Sequence, residues 1–188
     1  MKGVVKLNAE LKTVSPLIIG CGVQNATDLD VILDAGGNPF IPATSFAGAI
    51  RSRYAASMDA FPGGKTGFIS LFGSPNSLSK NAVLQQSRFL CSDFSLKGKA
   101  AITVRDGIRI KPEDGIVEEK KKYNYQVVEP GCRFAGSIEI PYENQSEKDQ
   151  AIQFITALAA ELDLEGTGTH STLRFGAKTN SGFGKLRM

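Results

Sequence analysis

The sequence predicts an α+β fold in which helices cover one face of an antiparallel sheet. Two observations favour this class. Two segments alternate apolar and polar residues as half-buried strands do, and two others place apolar residues at helical spacing. Their order along the chain is strand, helix, several strands, helix and strand. The split β-α-β layout of ferredoxin-like folds is the natural arrangement for that order.

The clearest strands are residues 5–13 and 132–140, where every second residue is suited to a core. The residues expected to face the core are Val5, Leu7, Ala9, Leu11, Thr13, Cys132, Phe134, Gly136, Ile138 and Ile140. Residues 31–33 and 88–96 predict further strands, and the first of these is followed by a turn over 34–38.

Two amphipathic segments predict helices. Thr44 or Ser45 is a suitable N-cap for a helix from about Phe46 to Met58. A second helix is expected over about 146–162. Its predicted apolar stripe consists of Ile152, Ile155, Leu158, Ala159 and Leu162.

Length and composition indicate one domain over residues 1–188. The net charge of +3 is mildly basic and does not by itself establish a nucleic-acid partner. Cys21, Cys91 and Cys132 are odd in number and widely spaced, which argues against a disulfide framework or a zinc site and indicates reduced thiols in a cytoplasmic protein. No apolar run approaches the roughly 18 residues of a membrane span, and the mixed N-terminus predicts no signal peptide.

Two stretches stand apart from these elements. Residues 111–125 combine a turn at Pro112–Gly115 with a run of charges, and little in them can enter a core. They are either a solvated loop or a protruding hairpin that contacts a partner. The stretch 173–187 interleaves glycines with basic side chains, a combination that lets backbone approach a phosphate chain closely.

Three segments of the chain together resemble the RAMP superfamily, specifically the backbone subunit of type III CRISPR effector complexes. They are Ile41-Pro-Ala-Thr-Ser-Phe-Ala-Gly-Ala-Ile-Arg51, Val104-Arg-Asp-Gly-Ile-Arg-Ile110 and Phe175-Gly-Ala-Lys-Thr-Asn-Ser-Gly-Phe-Gly184. The resemblance covers nearly the whole chain, and it is the combination of the three motifs that is specific.

The resemblance implies a modified ferredoxin-like (RRM-like) core whose copies stack head to tail along a CRISPR RNA. It implies a thumb hairpin over about Arg105 to Val128 that interrupts the guide–target duplex at intervals. The implied partners are CRISPR RNA, target RNA, neighbouring copies or paralogues of the subunit and other type III effector subunits. No membrane is involved, and the implied location is the cytoplasm.

In catalytically active members of the family, an aspartate in the loop before the first motif cleaves target RNA, and that position falls on Asp28. A carboxylate there can orient the 2′-hydroxyl of a nucleotide, or hold a divalent ion such as Mg²⁺ or Mn²⁺, because the family's cleavage depends on metal. Asp30 is the near alternative, although its place before Val31 predicts a solvent-facing strand start. A loop aspartate can also be a plain turn former.

The resemblance and the basic loop together predict a set of RNA contacts. These are Ser45, Arg51, Arg53, Arg105, Gly176, Lys178, Gly182, Gly184 and Lys185. Arg51 and Arg53 cannot share a helix face, so we expect only Arg51, which matches the family motif, to contact the guide. Ala47 and Ala49 stand where many relatives have lysines, which weakens the contact expected from this helix. The backbone N–H groups of residues 44–46 can still bind phosphate.

Three functions remain open at this point. The chain is a subunit that cleaves target RNA, a non-catalytic guide-binding scaffold of the same fold, or a metal-independent ribonuclease that processes the CRISPR precursor. The last usually needs a histidine- or tyrosine-based site, and the single histidine, His170, is expected to be structural or to stack on RNA. Tyr123 and Tyr125 either stack on bases or pack the hairpin onto the body.

Overall fold

Eight strands and three α-helices make up the described part of the chain. The computed structural model describes residues 2–22, 26–74, 85–110, 117–163 and 173–188, without the side chains of 109–110 and 117–121. In chain order the elements are β1 (Gly3–Thr13), β2 (Phe40–Ile41), α1 (Ala43–Ala55), α2 (Gly64–Phe72), β3 (Leu90–Cys91), β4 (Phe94–Lys97), β5 (Ile102–Ile110), β6 (Val117–Val128), β7 (Arg133–Tyr142), α3 (Gln145–Asp163) and β8 (Leu186–Arg187). Single 3₁₀ turns follow α1 and precede β8.

The main sheet has the ferredoxin-like order that the sequence predicts. Its strands run β2-β4-β7-β1-β8, and β3 also pairs with β7. All the pairings are antiparallel. The connection from β1 to β4 contains α1 and α2, and β7 lies between these two strands in the sheet. The connection from β7 to β8 contains α3, and β1 lies between those two strands. This is the split β-α-β layout, and the predicted fold class is confirmed.

The alternation predicted for β1 and β7 is also confirmed. Leu11 and Phe134 are fully buried and pair directly across the two strands. Their sequence neighbours Lys12 and Arg133 are exposed on the opposite face. The helices cover the buried face, so the sheet has one apolar face against the core and one face open to water.

Helix α1 begins three residues earlier than predicted, and neither Thr44 nor Ser45 is its N-cap. The capping position is Pro42, which provides no side-chain hydrogen bond. The carboxylate of Asp93, in the turn between β3 and β4, accepts the N–H of Ala43 at 2.7 Å instead. A partner 50 residues away thus replaces the local cap, which a search for N-cap residues cannot detect.

Helix α2 is not among the predicted helices, because glycines punctuate its sequence. It starts after Gly63, and a Cβ on Gly67 would lie 2.1 Å from the carbonyl oxygen of Pro62. Phe68 and Phe72, one turn apart, pack together with a ring-centroid distance of 5.0 Å. The helix is stabilised by this aromatic packing rather than by local propensity.

Two other predictions are corrected in detail. The strand expected over 88–96 is split into the short strands β3 and β4. Helix α3 has nearly the predicted bounds, but its buried stripe is rotated. Ile152 is 44% exposed, whereas Ala151 and Phe154 are buried.

Strands β5 and β6 form a separate two-stranded antiparallel sheet at the position predicted for the thumb. The register runs from Ile102 opposite Val128 to Ile110 opposite Val117. Val127 and Val128 are buried, so this end of the hairpin, which we call the hairpin root (residues 102–107 and 123–128), is part of the body. The predicted turn at Pro112–Gly115 lies outside the described residues.

Candidate nucleic-acid interface

The loop that carries Asp28 is shaped by the carboxylate of Asp30. Asp30 is buried, and its Oδ2 accepts the backbone N–H of Ala26 at 2.9 Å. Its Oδ1 accepts both the backbone N–H of Thr27 at 2.9 Å and the Thr27 hydroxyl at 2.6 Å. These bonds replace the water that the carboxylate loses on burial. The prediction that Asp30 faces solvent is therefore wrong, because its side chain points into the loop and holds it in shape.

Asp28 is exposed, and it is fixed to β6 through Asn124. The N–H of Asp28 lies 3.1 Å from the backbone oxygen of Asn124 and 3.0 Å from its side-chain oxygen. In return, the N–H of Asn124 donates to Oδ2 of Asp28 at 2.8 Å. Within the described residues no group donates to Oδ1 of Asp28. One carboxylate oxygen thus anchors the loop, and the other remains available to a ligand.

After Asp28 the chain runs parallel to β6 for a few residues and is hydrogen-bonded to it. Leu29 and Tyr125 form a parallel bridge. The N–H of Gln126 donates to the Leu29 carbonyl at 3.0 Å, and the side-chain oxygen of Gln126 accepts the N–H of Val31 at 3.1 Å. The position of Asp28 is therefore set by the hairpin root over several residues.

Two of the three glycines in the C-terminal loop are required by contacts within the chain. A Cβ on Gly176 would lie 2.0 Å from the carbonyl oxygen of Ile18, and one on Gly184 would lie 2.0 Å from that of Phe175. Gly182 has a φ of 85° but no heavy atom within 4 Å of a Cβ at that position. At Gly176 and Gly184 the close approach is thus to the protein itself, whereas Gly182 leaves room for a ligand.

Lys178, in the same loop, lies against two aromatic rings of the hairpin root. Its Nζ is 4.3 Å from the ring centroids of both Tyr123 and Tyr125, and it donates to the Tyr123 hydroxyl at 2.8 Å. The two rings stack with their centroids 5.8 Å apart. Tyr123 and Tyr125 therefore pack the hairpin onto the body, which is one of the two alternatives that the sequence left open.

Arg105 anchors the other strand of the root. Its Nη2 lies 2.9 Å from each carboxylate oxygen of Glu129, which also accepts the Thr103 hydroxyl. These hydrogen bonds, that of Thr103 first, hold the pKa of Glu129 below its usual value. The Arg105 guanidinium also lies 5.7 Å from the ring centroid of Phe183 in the C-terminal loop. Whether Arg105 also contacts RNA stays a prediction.

Arg51 and Arg53 extend from α1 in different directions. The Nε of Arg53 donates to Glu161 on α3 at 3.0 Å, and the Tyr54 hydroxyl donates to the other oxygen of that carboxylate at 3.1 Å. Burial and the nearby Glu161 charge raise the pKa of Tyr54 well above its usual range. Arg51 makes a longer contact of 3.4 Å with the carbonyl of Ser74. Arg53 is thus committed to helix packing, which leaves Arg51 as the better candidate for RNA.

The Asp93 carboxylate already binds part of the N-terminus of α1, because it accepts the N–H of Ala43. The N–H of Phe46 donates to the Pro42 carbonyl at 3.0 Å. The expected use of the Phe46 amide for phosphate is therefore wrong, because the helix starts earlier. Ser45 stays in the first turn, where the helix offers its amide no carbonyl partner.

Lys185 and Arg187 lie at the end of the chain beside β1. The N–H of Lys185 donates to the Ser15 hydroxyl at 2.9 Å, which fixes the backbone there. Arg187 lies 3.4 Å from Asp163, and both side chains are at least half exposed. An ion pair of this kind is weak enough for a phosphate to displace.

The open face of the main sheet differs from the base-stacking face of an RRM. Two exposed ion pairs lie on it, Lys6 at 2.6 Å from Glu139 and Arg133 at 3.4 Å from Glu10, and Lys12 is exposed between the cross-strand neighbours Arg133 and Arg187. An open depression of about 500 Å³ is lined by small and polar side chains of β1 and β7. No outward-facing residue of β1 or β7 is aromatic, so these strands offer no platform on which bases can stack.

Few side chains in the described part of the chain could hold a metal ion. No group of three or more His, Cys, Asp or Glu side chains lies together among the residues that the structure describes. An exposed aspartate still suits Mg²⁺, which often takes one carboxylate and completes its shell with substrate phosphates and water. No described helix is long and apolar enough to cross a bilayer. His170 lies outside the described residues.

Sequence reasoning missed Asn124, Glu129 and Phe183 at this interface. Asn124 alternates with two tyrosines, which indicates only a strand. Nothing in that pattern signals a partner 96 residues away. A side chain that serves as an anchor for a distant loop has no local signature.

The comparisons with known proteins agree with this architecture. The sequence profile of the RAMP superfamily matches residues 10–187, so the chain belongs to the RAMP superfamily, as predicted. Its fold is similar to that of a chain in the cryo-EM structure of the Type III-B Cmr-beta bound to cognate target RNA. The TM-score is 0.70 and the identity 14%, over 97% of this chain and 96% of that one.

A chain of the Type III-B Cmr-beta in its apo state is similar as well. There the TM-score is 0.68 and the identity 13%, over 97% of this chain and 95% of the other. No curated protein matches the sequence. At these identities the similarity establishes the fold.

Proposed function

We propose that this chain is a guide-binding backbone subunit of a type III CRISPR interference complex and that it cleaves target RNA with Asp28 as the catalytic residue. One observation carries the proposal: Asp28 presents an exposed carboxylate from a loop that buried Asp30 shapes and Asn124 fixes to the hairpin root. A side chain that is both exposed and held by a rigid surrounding is typical of a functional group. A plain turn former needs no such support.

Membership of the RAMP superfamily and the fold of the neighbours support the same proposal. One neighbour belongs to a Type III-B Cmr-beta bound to cognate target RNA. The expected partners are accordingly CRISPR RNA, target RNA, further copies or paralogues of this subunit, and other effector subunits. We expect the complex to act in the cytoplasm.

In the proposed reaction, Asp28 acts on the 2′-hydroxyl of a target nucleotide. Its available Oδ1 accepts that hydroxyl and orients its oxygen toward the adjacent phosphate, while the N–H of Asn124 restrains the other oxygen. Asp28 would also supply one ligand to Mg²⁺ or Mn²⁺, an ion that neutralises charge developing on the phosphate.

The proposed guide contacts lie on three parts of the described chain. They are Ser45 and Arg51 on α1, Arg105 on the hairpin root, and Gly182 and Lys185 in the C-terminal loop. Arg53, Gly176, Lys178 and Gly184 were also predicted to bind RNA. Their contacts within the protein suit a supporting role, in which they fix the shape of the surface that RNA meets.

A non-catalytic guide-binding scaffold is the second candidate. It is favoured by the lack of a three-ligand acidic or histidine cluster in the described residues, since Asp28 would then have to recruit metal with help from RNA. Processing of the CRISPR precursor is a third and weaker candidate.

The complex purified from cells that express this chain with its neighbouring effector subunits separates the three. RNA that copurifies is sequenced, and a labelled complementary RNA is added with Mg²⁺, with Mn²⁺ or with a chelator. Regularly spaced, metal-dependent cuts in the target support the proposal. A bound guide without target cuts supports the scaffold. Cutting of repeat RNA by the free protein in chelator supports the processing enzyme.

A further inference from the structure

Lys178 is placed to hold the strand that positions Asp28. We propose that Lys178 is a positioning residue: clamped by Tyr123 and Tyr125, it fixes the segment of β6 whose Asn124 holds Asp28. The effect on cleavage rests on the proposed function, whereas the effect on the loop is measurable without RNA. We call Lys178, Tyr123 and Tyr125 the lysine clamp.

The contacts of the ammonium group carry the first step. Nζ lies at 4.3 Å from both ring centroids and donates to the Tyr123 hydroxyl at 2.8 Å. Cations at this distance from aromatic rings are held by the electrons of the ring face. To reach a phosphate, Nζ would have to give up both rings. The backbone of Lys178 also has a φ of 56°, a conformation that a residue with a side chain rarely adopts unless its surroundings fix it.

The opposite strand makes room for the clamp. Gly107 pairs directly with Tyr123, and a Cβ on Gly107 would lie 2.3 Å from Cζ of the tyrosine ring. The ring therefore lies flat over the glycine, as aromatic side chains do over glycines on neighbouring strands in other β-sheets. Glycine at position 107 thus allows the Tyr123 ring to adopt the orientation in which Lys178 contacts it.

The clamp acts on Asp28 through the alternation of a strand. Tyr123 and Tyr125 present their rings to one face of the hairpin, and Asn124 between them points to the other. Asn124 exchanges hydrogen bonds with Asp28 through its N–H, its carbonyl and its side-chain oxygen. Because the two rings bracket Asn124, a shift of the strand at either tyrosine shifts these bonds.

The loop that carries Lys178 is itself anchored in the body. The N–H of Ala177 donates to the Ile18 carbonyl at 2.8 Å. Leu17 and Val128 exchange two hydrogen bonds of 2.9 Å, which tie that segment to the end of β6. The hairpin root is therefore held at two places: residues 17–18 bind the end of β6, and Lys178 binds the rings of Tyr123 and Tyr125.

The first test uses the free full-length protein, because amide exchange followed by NMR reports on each N–H separately. In Lys178→Met, which keeps the stem but loses the charge, we expect the amides of Asp28 and Asn124 to exchange at least about tenfold faster. Lys178→Arg should restore slow exchange, since a guanidinium also stacks on aromatic rings. Lys65→Met, at an exposed position of α2, removes the same charge and should change neither amide.

A second variant disturbs the clamp without removing a charge. Gly107→Ala forces the Tyr123 ring away from β5 and should raise exchange at the same two amides. The chain contains no tryptophan, so its near-ultraviolet circular dichroism reports on tyrosines and should weaken in both clamp variants. Unchanged exchange at Asp28 in both folded variants would overturn the inference.

The second test separates positioning from phosphate binding in the assembled complex. In Lys178→Met we expect single-turnover target cleavage to fall at least about tenfold while the salt dependence of guide binding stays the same. A phosphate ligand would instead lower the log–log salt slope by about 0.7, and that result would overturn the inference. If the wild-type complex cuts no target, the proposed function fails, and the exchange experiment alone decides the clamp.

Discussion

The open face of the main sheet and the hairpin root have opposite characters. The sheet face is regular, it carries two exposed ion pairs, and β1 and β7 direct no aromatic side chain outward. At the hairpin root, two segments far away in the chain meet β6: the loop around Asp28 and the C-terminal loop. Together the three segments hold stacked rings, a clamped lysine and an exposed carboxylate.

The difference shows that this RRM-like sheet and the candidate chemistry are separate. The sheet provides a rigid base, and the candidate functional groups lie where irregular segments meet the hairpin root. Substitutions at the root should therefore alter both stability and cleavage, whereas substitutions on the sheet face should alter neither.

The glycines of the C-terminal loop should differ sharply from one another. Gly184→Ala places a Cβ 2.0 Å from a backbone oxygen at a φ of 80°, so we expect unfolding free energy to fall by more than about 3 kcal/mol. Gly182→Ala shares the positive φ but meets no atom, and should cost about 1 kcal/mol. Urea unfolding measures both. Equal losses would mean that the backbone does not approach itself at Gly184.

Removal of the carboxylate that shapes the loop should have the next largest effect. Asp30→Ala leaves three donors on Ala26 and Thr27 without their partner, and we expect a loss of about 2 kcal/mol of stability. Cleavage should be lost as well, because Asp28 loses its support. Asp34→Ala is the matched control, since Asp34 accepts backbone N–H groups in an exposed turn and should cost less than about 1 kcal/mol.

Shortening the hairpin should leave the root intact. Deletion of residues 112–122 ends before Tyr123 and spares the buried Val127 and Val128. We therefore expect a folded protein with a loss of no more than about 1 kcal/mol. In the assembled complex the regular spacing of target cuts should disappear. An unchanged cleavage ladder would mean that another segment divides the duplex.

The contact between Arg105 and Glu129 should make the root sensitive to acid. The pKa of Glu129 is lower in the folded protein than in the unfolded chain, so its contribution is complete above the ordinary glutamate pKa and disappears as pH falls through the folded value. Stability measured from pH 7 down to pH 3 should fall less steeply in Glu129→Gln than in the wild type. Parallel curves would show that Glu129 contributes nothing.

The sheet face should respond least. Lys6→Met breaks an exposed ion pair with Glu139 and should change the free energy of unfolding by no more than about 0.5 kcal/mol. Guide binding should keep its salt slope. A fall in the slope would place phosphate on this face and reverse the contrast with the root.

The sequence predicted regular elements better than the contacts between them. Alternation placed Leu11 and Phe134 in the core correctly, because period two reports directly on burial. Helix signals failed for α2, whose glycines suggest a loop, and for the start of α1, whose capping carboxylate comes from Asp93. In both cases a decisive partner is distant in sequence, since Phe72 of α2 also packs on Phe154 of α3 at a ring-centroid distance of 5.5 Å.

The candidate site shows the same limit. The family resemblance points to Asp28, and the composition of the C-terminal loop points to Lys178. Neither pattern predicts the bond from Asn124 to Asp28 or the clamp around Lys178, because both depend on the three-dimensional structure. The sequence predicts an exposed Asp30, because a polar residue before a strand usually faces water, whereas its side chain is buried.

The most direct test of the account is single-turnover cleavage of target RNA by assembled complexes that carry Asp28→Asn or Glu139→Gln. Each variant removes one carboxylate charge, at the root or on the sheet face. Guide content and assembly should match the wild type in both. We expect Asp28→Asn to lower the cleavage rate by at least about 100-fold and Glu139→Gln to leave it unchanged. Wild-type cleavage by Asp28→Asn would contradict the account.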